Sequence, residues 1–555
     1  MKNIKNFVCL FSLLLLLSCK DGNNQDIVDI AISSFSVTTQ EGDIKCIINN
    51  KDNIILIPGV ENGSEILGVD YSIPQNATIY PKPDLLINNW DEKEAFILSS
   101  SGNVERKYTA VLTDYSEPEP GIIESDAIIY VNQQFGRKTK YFMYDLKGNP
   151  GSLSNNNDKV VKLFWKNGMN GLRVPIFGDN YYKGHPEPGV VDREAYATVL
   201  KSMTNAMMNF SGDKFMIFAS KKNMGTVQFP DWVNYEDGTA NPDKYAIMLC
   251  DYLKFMKNEG FEVDVLGVDN EFEFNSGKIT VDKYNKIVPI VKEYCKDNGI
   301  KVPQFVAHDR YMPEGNKPNA WLNTAKKKNA FDKIDIYGTH YYPQHHFQVE
   351  EGRFEALKYE FDLMNSDRHR EFWATEPHWD DAKTEDKLYY SEQALCAMFD
   401  QTDLGLDAFM WWEYTDADSY KGQIMEAYSL SIFNSTPIRL IDHDGESTFT
   451  KGKLQSRAYI KGNEVNVFII NLTPNKEDGK EYLDYKFKLS DEIVNGEGEK
   501  LFDNIEIDGD VTLRCWSDET SGDGYIENIE PINSSIFSID IPIRSVIHLH
   551  FRLKQ

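Results

Sequence analysis

Beyond its first twenty residues this 555-residue chain has no long apolar run, so no later segment reaches the length of a membrane-spanning helix. Positive charge is also short: 59 Lys and Arg stand against 86 Asp and Glu, a formal charge of −27 with no basic stripe, which excludes nucleic acid as an expected partner. Cysteine is scarce. The seven are Cys9, Cys19, Cys46, Cys250, Cys295, Cys396 and Cys515, and no two form a CxxC pair. The five beyond the leader therefore read as buried free thiols, not as a disulfide framework or a metal site. An HExxH helix and a GxSxG elbow are both missing, which removes the usual signatures of zinc proteases and serine hydrolases. No internal repeat or low-complexity tract stands out, and no cofactor or metal is expected.

What is present begins at the N-terminus. Lys2 and Lys5 precede the apolar run Phe7 to Leu17, which is too short to span a bilayer and reads as a signal peptide over residues 1–18. Leu16-Leu17-Ser18-Cys19 resembles the lipobox of bacterial lipoproteins, where the leader is cut before the cysteine and the thiol takes lipid. The mature chain is then expected to start at Cys19 and to sit on the outer membrane facing outward, with lipid as its anchor. Residues 19–26 form a polar tether.

The length implies two to four domains. Over residues 27–116, alternating segments such as Ile44-Lys45-Cys46-Ile47-Ile48 and Tyr108-Thr109-Ala110-Val111-Leu112 predict a small β-sandwich, similar to an immunoglobulin-like module. Glu117-Pro118-Glu119-Pro120-Gly121 lies in a stiff linker, residues 117–125. From 126 to 430 short apolar strands alternate with amphipathic helices, which predicts a (β/α)8 TIM barrel. Its eight expected strands are Ala127–Val131, Gly171–Pro175, Lys214–Ala219, Val263–Asn270, Gln304–Ala307, Ile334–Tyr337, Glu371–Thr375 and Asp407–Trp411. Helices are expected at Arg193–Asn209, Pro242–Asn258, Val281–Asp297 and Ser391–Asp400. Residues 431–555 return to strands alone and predict a second β-sandwich.

In a TIM barrel the polar residues at the C-terminal ends of strands face the mouth. Two glutamates stand there: Glu271 in Gly267-Val268-Asp269-Asn270-Glu271 after the fourth expected strand, and Glu376 in Trp373-Ala374-Thr375-Glu376-Pro377 after the seventh. Facing carboxylates are what glycosidic hydrolysis needs, one to donate a proton to the leaving oxygen and one to attack the anomeric carbon. In isolation a glutamate at a strand end is more often a helix cap or an ion-pair partner.

The set resembles clan A of the glycoside hydrolases, retaining β-glycosidases with the acid/base after strand four and the nucleophile after strand seven. The resemblance covers residues 126–430 and leans towards family 30. It implies that Glu271 is the acid/base, Asn270 a binder of the sugar 2-hydroxyl, and Glu376 the nucleophile. By the same resemblance Arg173 supports the nucleophile, His340 belongs to the His-x-Tyr feature, and Tyr342 is hydrogen-bonded to the nucleophile. Trp411 and Trp412 offer an aromatic platform, either of them facing inward. Phe272 replaces the proline usual after the Asn-Glu pair and Glu273 follows it, so Glu273 stands as the alternative acid. Arg173 beside Glu376 would keep that carboxylate ionised, while Glu271, facing it at about 5 Å, would hold its proton.

The expected activity is retaining, endo-acting hydrolysis of a β-linked polysaccharide or oligosaccharide by a monomer. An exo-acting enzyme, or an agarase-like or porphyranase-like enzyme on an algal galactan, is the alternative. A surface glycan-binding lipoprotein is the reading from a different class. Trp232, Trp379 and Trp321 are further subsite candidates. Lys221, Lys222 and Arg310 are cations placed to read a sulfate or uronate, or else solvated charges. His345 and His346 with His340 lack the spacing of a metal site, and Asp380, Asp381, Asp416 and Asp418 read as loop charges.

Overall fold

The computed structural model describes residues 30–554 apart from 41, 51–52, 59, 61–65, 76, 81, 84–92, 101–104, 113–124, 179–181, 223–228, 272–278, 311–319, 343–352, 379–387, 413, 415–419, 443–444, 447–453, 472–481, 494–499, 504, 518–523 and 543. The leader with Cys19, together with Phe272, Glu273, His345, His346, Trp379, Asp380, Asp381, Asp416 and Asp418, lies outside the described residues. Among those described, no helix is long and apolar enough to cross a membrane.

The chain divides into two units, residues up to Ile123 and Glu124–Gln555. In the first, Ser34–Thr39 pairs between Gly42–Lys45 and Gly68–Ser72, and a second sheet of five strands runs from Ile47–Asn49 to Ala77–Tyr80. Both contribute to one core that includes Phe35, Val37, Ile55, Ile57 and Tyr108. Tyr108, fully buried, donates its hydroxyl to Asn50 Oδ1 at 2.6 Å and accepts the Ile32 N–H at 3.1 Å, so the phenol leaves no buried donor unmet.

The second unit contains a closed parallel barrel of eight strands: β1 (Tyr141–Asp145), β2 (Gly171–Ile176), β3 (Met216–Lys221), β4 (Val265–Gly267), β5 (Gln304–Arg310), β6 (Ile336–Thr339), β7 (Glu371–Ala374) and β8 (Ala408–Phe409). Alternation sorts each strand into two faces. Met143, Met216, Phe218, Val265, Val306, Ile336 and Trp373 fill the interior, whereas Leu172, Val174, Ile217 and Phe372 join the larger core beneath the helices. Gly171 is required by this filling, since a Cβ there would come within 2.7 Å of both Met143 Cγ and Met216 O.

The helices are built from ordinary local signals. Arg193–Asn209, Pro242–Asn258 and Val281–Asp297 start at Asp192, Asn241 and Thr280, each of whose side chains accepts a backbone N–H of the first turn. The helix expected at Ser391–Asp400 extends over Leu388–Asp403.

One expected strand belongs elsewhere. Ala127–Val131 is not a barrel strand: Ala127–Gln134 pairs antiparallel with Thr436–Asp442 and parallel with Tyr482–Ser490, inside a mixed sheet of ten strands. Its place in the barrel is taken by β1, which pairs with β8 at Tyr141 and Ala408 and with β2 at Met143 and Gly171. The run is as apolar as a barrel strand, so composition alone cannot separate the two. The ten-stranded sheet encloses its own core, with Ile129, Val467, Phe487, Leu513, Phe537 and Leu549. Cys250, Cys295, Cys396 and Cys515 in this unit, and Cys46 in the first, are buried and unbridged.

Candidate active site

The barrel's interior plug carries the site. Phe218 and Trp373 pack edge to face at 5.8 Å inside the barrel, and the Arg173 guanidinium lies over Phe218 at 5.3 Å. Arg173 is fully buried and acts as a hub. Its Nη1 donates to Thr375 O at 2.9 Å, Asp145 Oδ2 at 3.2 Å and Glu376 Oε2 at 2.5 Å. Its Nη2 donates to Asn270 Oδ1 at 2.6 Å, Asp309 Oδ2 at 3.2 Å and Ser220 Oγ at 3.3 Å. One planar cation thus ties together the ends of β1, β2, β3, β4, β5 and β7, a task that needs the fork geometry of arginine.

Glu376 is held at both oxygens. Tyr342 donates its hydroxyl to Oε1, and Lys147 and Arg173 both donate to Oε2. Burial alone would raise the Glu376 carboxyl, but His340, Lys147 and Arg173 pull it well below the usual carboxylate range. Burial and the negative charges of Glu376 and Glu271 push the Tyr342 phenol well above its ordinary value, against the opposing pull of Arg173.

His340 stands between the two glutamates. Its Nδ1 is 3.3 Å from Glu271 Oε1, and its Nε2 is 3.4 Å from Asp309 Oδ1 and 3.6 Å from Glu376 Oε2. Burial would lower the imidazole, yet Glu376, Asp309 and Glu271 raise it to about 9, so the ring is a cation at neutral pH. Glu271 therefore faces an imidazolium as well as the charge of Glu376, which modifies the expectation that it faces negative charge alone. Tyr341, between His340 and Tyr342 in sequence, turns the other way and donates to Asp400 Oδ2 at 2.5 Å.

Three of the eight described non-glycine residues with positive φ lie at or next to the site. Glu271, Asp309 and Tyr341 have φ of 54°, 49° and 45°, the left-handed region that costs a side-chain-bearing residue about 1–2 kcal/mol. The Glu271 N–H donating to Asp309 O at 2.9 Å links two of them. Such strain persists only where the surroundings over-determine it, and here it aims Glu271 across the mouth.

The aromatic candidates separate. Trp411 is fully buried and donates Nε1–H to Ser429 Oγ at 2.7 Å, which makes it packing beneath the helices. Trp412 is half-buried, 4.5 Å from the His378 ring and 6.4 Å from Tyr342, and so stands beside the tyrosine that donates to Glu376. Trp232 is tied to His185 O at 2.9 Å and Trp321 to Ile279 O at 2.9 Å, and both pack against the core under the helices. Neither is brought to the two glutamates by these contacts.

The two lysines expected at the mouth are instead buried. Lys221 lies 3.7 Å from the Phe229 ring centroid and 3.8 Å from Asp269 Oδ1, and Lys222 donates to the carbonyls of Lys147 and Gly148. A free cation to read a sulfate or uronate is not what either provides. The Arg310 side chain lies outside the described residues.

Three site residues escaped the sequence reading: Asp145, Lys147 and Asp309. Asp145 ends and Lys147 follows β1, the strand displaced by the assignment of Ala127–Val131, and Asp309 lies two residues beyond the expected end of β5. Glu271, His340 and Glu376 offer one ligand atom each within 4.8 Å of one another, the separation a metal would need. The fit is poor, because Arg173, Lys147 and the imidazolium already supply the positive charge and Glu376 has both oxygens occupied.

No family model and no curated protein matches the chain. Solved structures do. A glycoside hydrolase family 30 subfamily 8 xylanase, Xyn30A, from Clostridium acetobutylicum is similar with a TM-score of 0.51 at 14% identity, over 77% of this chain and 99% of that one. A family 30 endoxylanase from Clostridium papyrosolvens C71 gives 0.51 at 15%, over 77% and 100%. SrfJ from Salmonella typhimurium gives 0.53 at 12%, over 82% and 97%. At these identities it is the fold that is shared, a TIM barrel of the kind found in glycoside hydrolases.

Proposed function

We propose that the chain is a retaining β-glycan hydrolase, with Glu376 as nucleophile and Glu271 as acid/base. The observation that carries this reading is a Glu271 oxygen within 4.8 Å of a Glu376 oxygen, at the ends of β4 and β7. Carboxyl groups about 5–5.5 Å apart suit double displacement, whereas about 6.5–9.5 Å would leave room for a water attacking directly. The xylanases that share the fold support a glycan as the substrate class. The polymer would be met outside the cell, with the protein tethered through a lipid on Cys19.

In the first step a Glu376 oxygen bonds to the anomeric carbon while the glycosidic C–O bond breaks, and Glu271 in its acid form protonates the leaving oxygen. Water then attacks the same carbon, Glu271 takes its proton, and the ester bond breaks to return the electron pair to Glu376. Asn270 and Trp412 line the place where the reacting sugar would sit.

The test is reducing-sugar release from β-glucans, β-xylans, β-galactans and algal galactans by wild type, Glu376→Ala and Glu271→Ala, with proton NMR of the first product anomer. Hydrolysis of one polymer with a β product, reduced at least about 10⁴-fold in Glu376→Ala, is expected. Activity that survives Glu376→Ala would sink the assignment, and an α product would replace it with an inverting enzyme.

A further inference from the structure

Two cations hydrogen-bond one oxygen of the nucleophile, and the His340 imidazolium stands 3.6 Å from the same oxygen. Lys147, two residues beyond β1, directs Nζ to Glu376 Oε2 and, at 2.7 Å, to Asn270 Oδ1, while Arg173 reaches the same Glu376 oxygen. This lysine is no surface residue: its side chain is 8% exposed. Its main chain is pinned from both sides. The Lys147 N–H donates to Asp145 Oδ1 at 2.5 Å, and its carbonyl accepts Lys222 Nζ, which also reaches Gly148 O at 3.4 Å. Burying two ammonium groups in series carries a desolvation cost of several kcal/mol each, which is offset only where they are aimed at charge or strong acceptors.

The surroundings of Glu376 show what Lys147 adds. From β1 come Asp145 and Lys147, and from β2 comes Arg173. The β3 end supplies Ser220 to Arg173, with Lys221 turned to Asp269. Asn270 and Glu271 face it from β4, Asp309 from β5, and His340 and Tyr342 from β6. Asp145 and Asp309 already share Arg173, so that one cation is divided among three carboxylates. Lys147 makes its close ion pair with Glu376, and its charge also acts on Asp145.

We propose that Lys147 is a further hydrogen-bonding cation on the nucleophile, held in place by Lys222 as a positioning residue, and that its work is done when the sugar leaves Glu376. The inference rests on the double-displacement reading above. In the first step Glu376 loses its charge as the ester forms, so the ammonium opposes that step mildly. In the second the C–O ester bond breaks, its electron pair returns to Glu376, and Glu271 takes the proton of the attacking water. The carboxylate reappears with Lys147 already oriented towards it, which is stabilisation preorganised for the developing charge.

The deciding experiment compares Lys147→Met, Lys147→Arg and Lys222→Met by infrared pH titration of the free protein, with the Glu376 band isolated by subtracting Glu376→Gln. The Glu376 midpoint in Lys147→Met is expected to rise by about one to three pH units, with Lys147→Arg close to wild type and Lys222→Met between. An unmoved midpoint in Lys147→Met overturns the proposal. Should that variant not fold, an unmoved midpoint in Lys222→Met overturns it instead. On whichever panel polymer the wild type cuts, Lys147→Met should lose about a hundredfold in kcat with KM falling alongside. Intact mass after quenching should then show the accumulated glycosyl ester. A purely structural lysine would lower kcat without trapping the ester. The titration uses no substrate, so a failed hydrolase reading leaves it able to answer for Lys147.

Discussion

His340 is a cation because three carboxylates surround it, and that makes it a pH-dependent support of the fold. Its ordinary value is 6.5 and its folded value about 9, so the folded state binds the proton more tightly than the unfolded chain. Its contribution is fully present below pH 6.5 and is lost as pH rises through 9, because between those values the folded state holds the extra proton. A shift of this size is on the order of 3 kcal/mol. Urea unfolding of wild type at pH 6 and at pH 9.5 should show a loss of that order which His340→Gln does not share; equal slopes in the two proteins would remove His340 from the account. Glu376 acts at the opposite end, its support lost only as pH falls below the ordinary carboxylate range. At this scale much of the site was legible. Glu271 and Glu376 stood out at strand ends, Arg173, His340 and Tyr342 came from the resemblance to clan A, and the structure brings the five together. The electrostatic state of His340 was not legible, because it depends on Asp309, a residue beyond the expected end of its strand.

At the scale of the element, what the sequence shows is periodicity, and what it hides is pairing. The helices Arg193–Asn209, Pro242–Asn258 and Val281–Asp297 were read from apolar residues at three-and-four spacing, and in the structure side-chain caps fix their starts. Ala127–Val131 and Tyr141–Asp145 are both short apolar strands, and only hydrogen bonding to β8 and β2 tells which closes the barrel. Strand ends also carry packing that no periodicity reveals. Gly338 on β6 sits where a Cβ would fall 2.6 Å from Val306 Cγ1, 3.0 Å from Thr375 Cγ2 and 3.5 Å from Asp309 Oδ1. Thr375 and Asp309 are hydrogen-bonded to each other and both contact Arg173, so pressure at Gly338 reaches the support of Glu376. Gly338→Ala should cost about 1–3 kcal/mol of stability by overpacking and lower kcat/KM by about tenfold or more. Urea unfolding and steady-state rates check both, and an unchanged kcat/KM with reduced stability would confine the effect to the core.

On the scale of the whole molecule, the barrel and the ten-stranded sheet share one stretch of chain. The strand before the barrel, Ala127–Gln134, completes a sheet whose other strands come after residue 435, between Thr436–Asp442 and Tyr482–Ser490. It is an interior strand of that sheet, with Ala127, Ile129 and Val131 buried in the sheet core. Burying the two larger side chains alone is worth roughly 3–6 kcal/mol, of the order of a domain's whole stability of about 5–15 kcal/mol. Asn132 adds polar ties, with its amide donating to Asp491 O at 2.9 Å and Phe502 O at 2.8 Å. A chain cut as a simple barrel followed by a separate C-terminal domain would lose this strand from one part or strand it on the other. A chain starting at Glu124 should therefore unfold in one cooperative transition, whereas one starting at Lys138 should be insoluble or melt at least about 10 °C lower. Circular dichroism melts of the two decide it. Equal melting temperatures would mean that the sheet stands without its interior strand, and that the link between the chain before the barrel and the sheet after it is incidental to the fold.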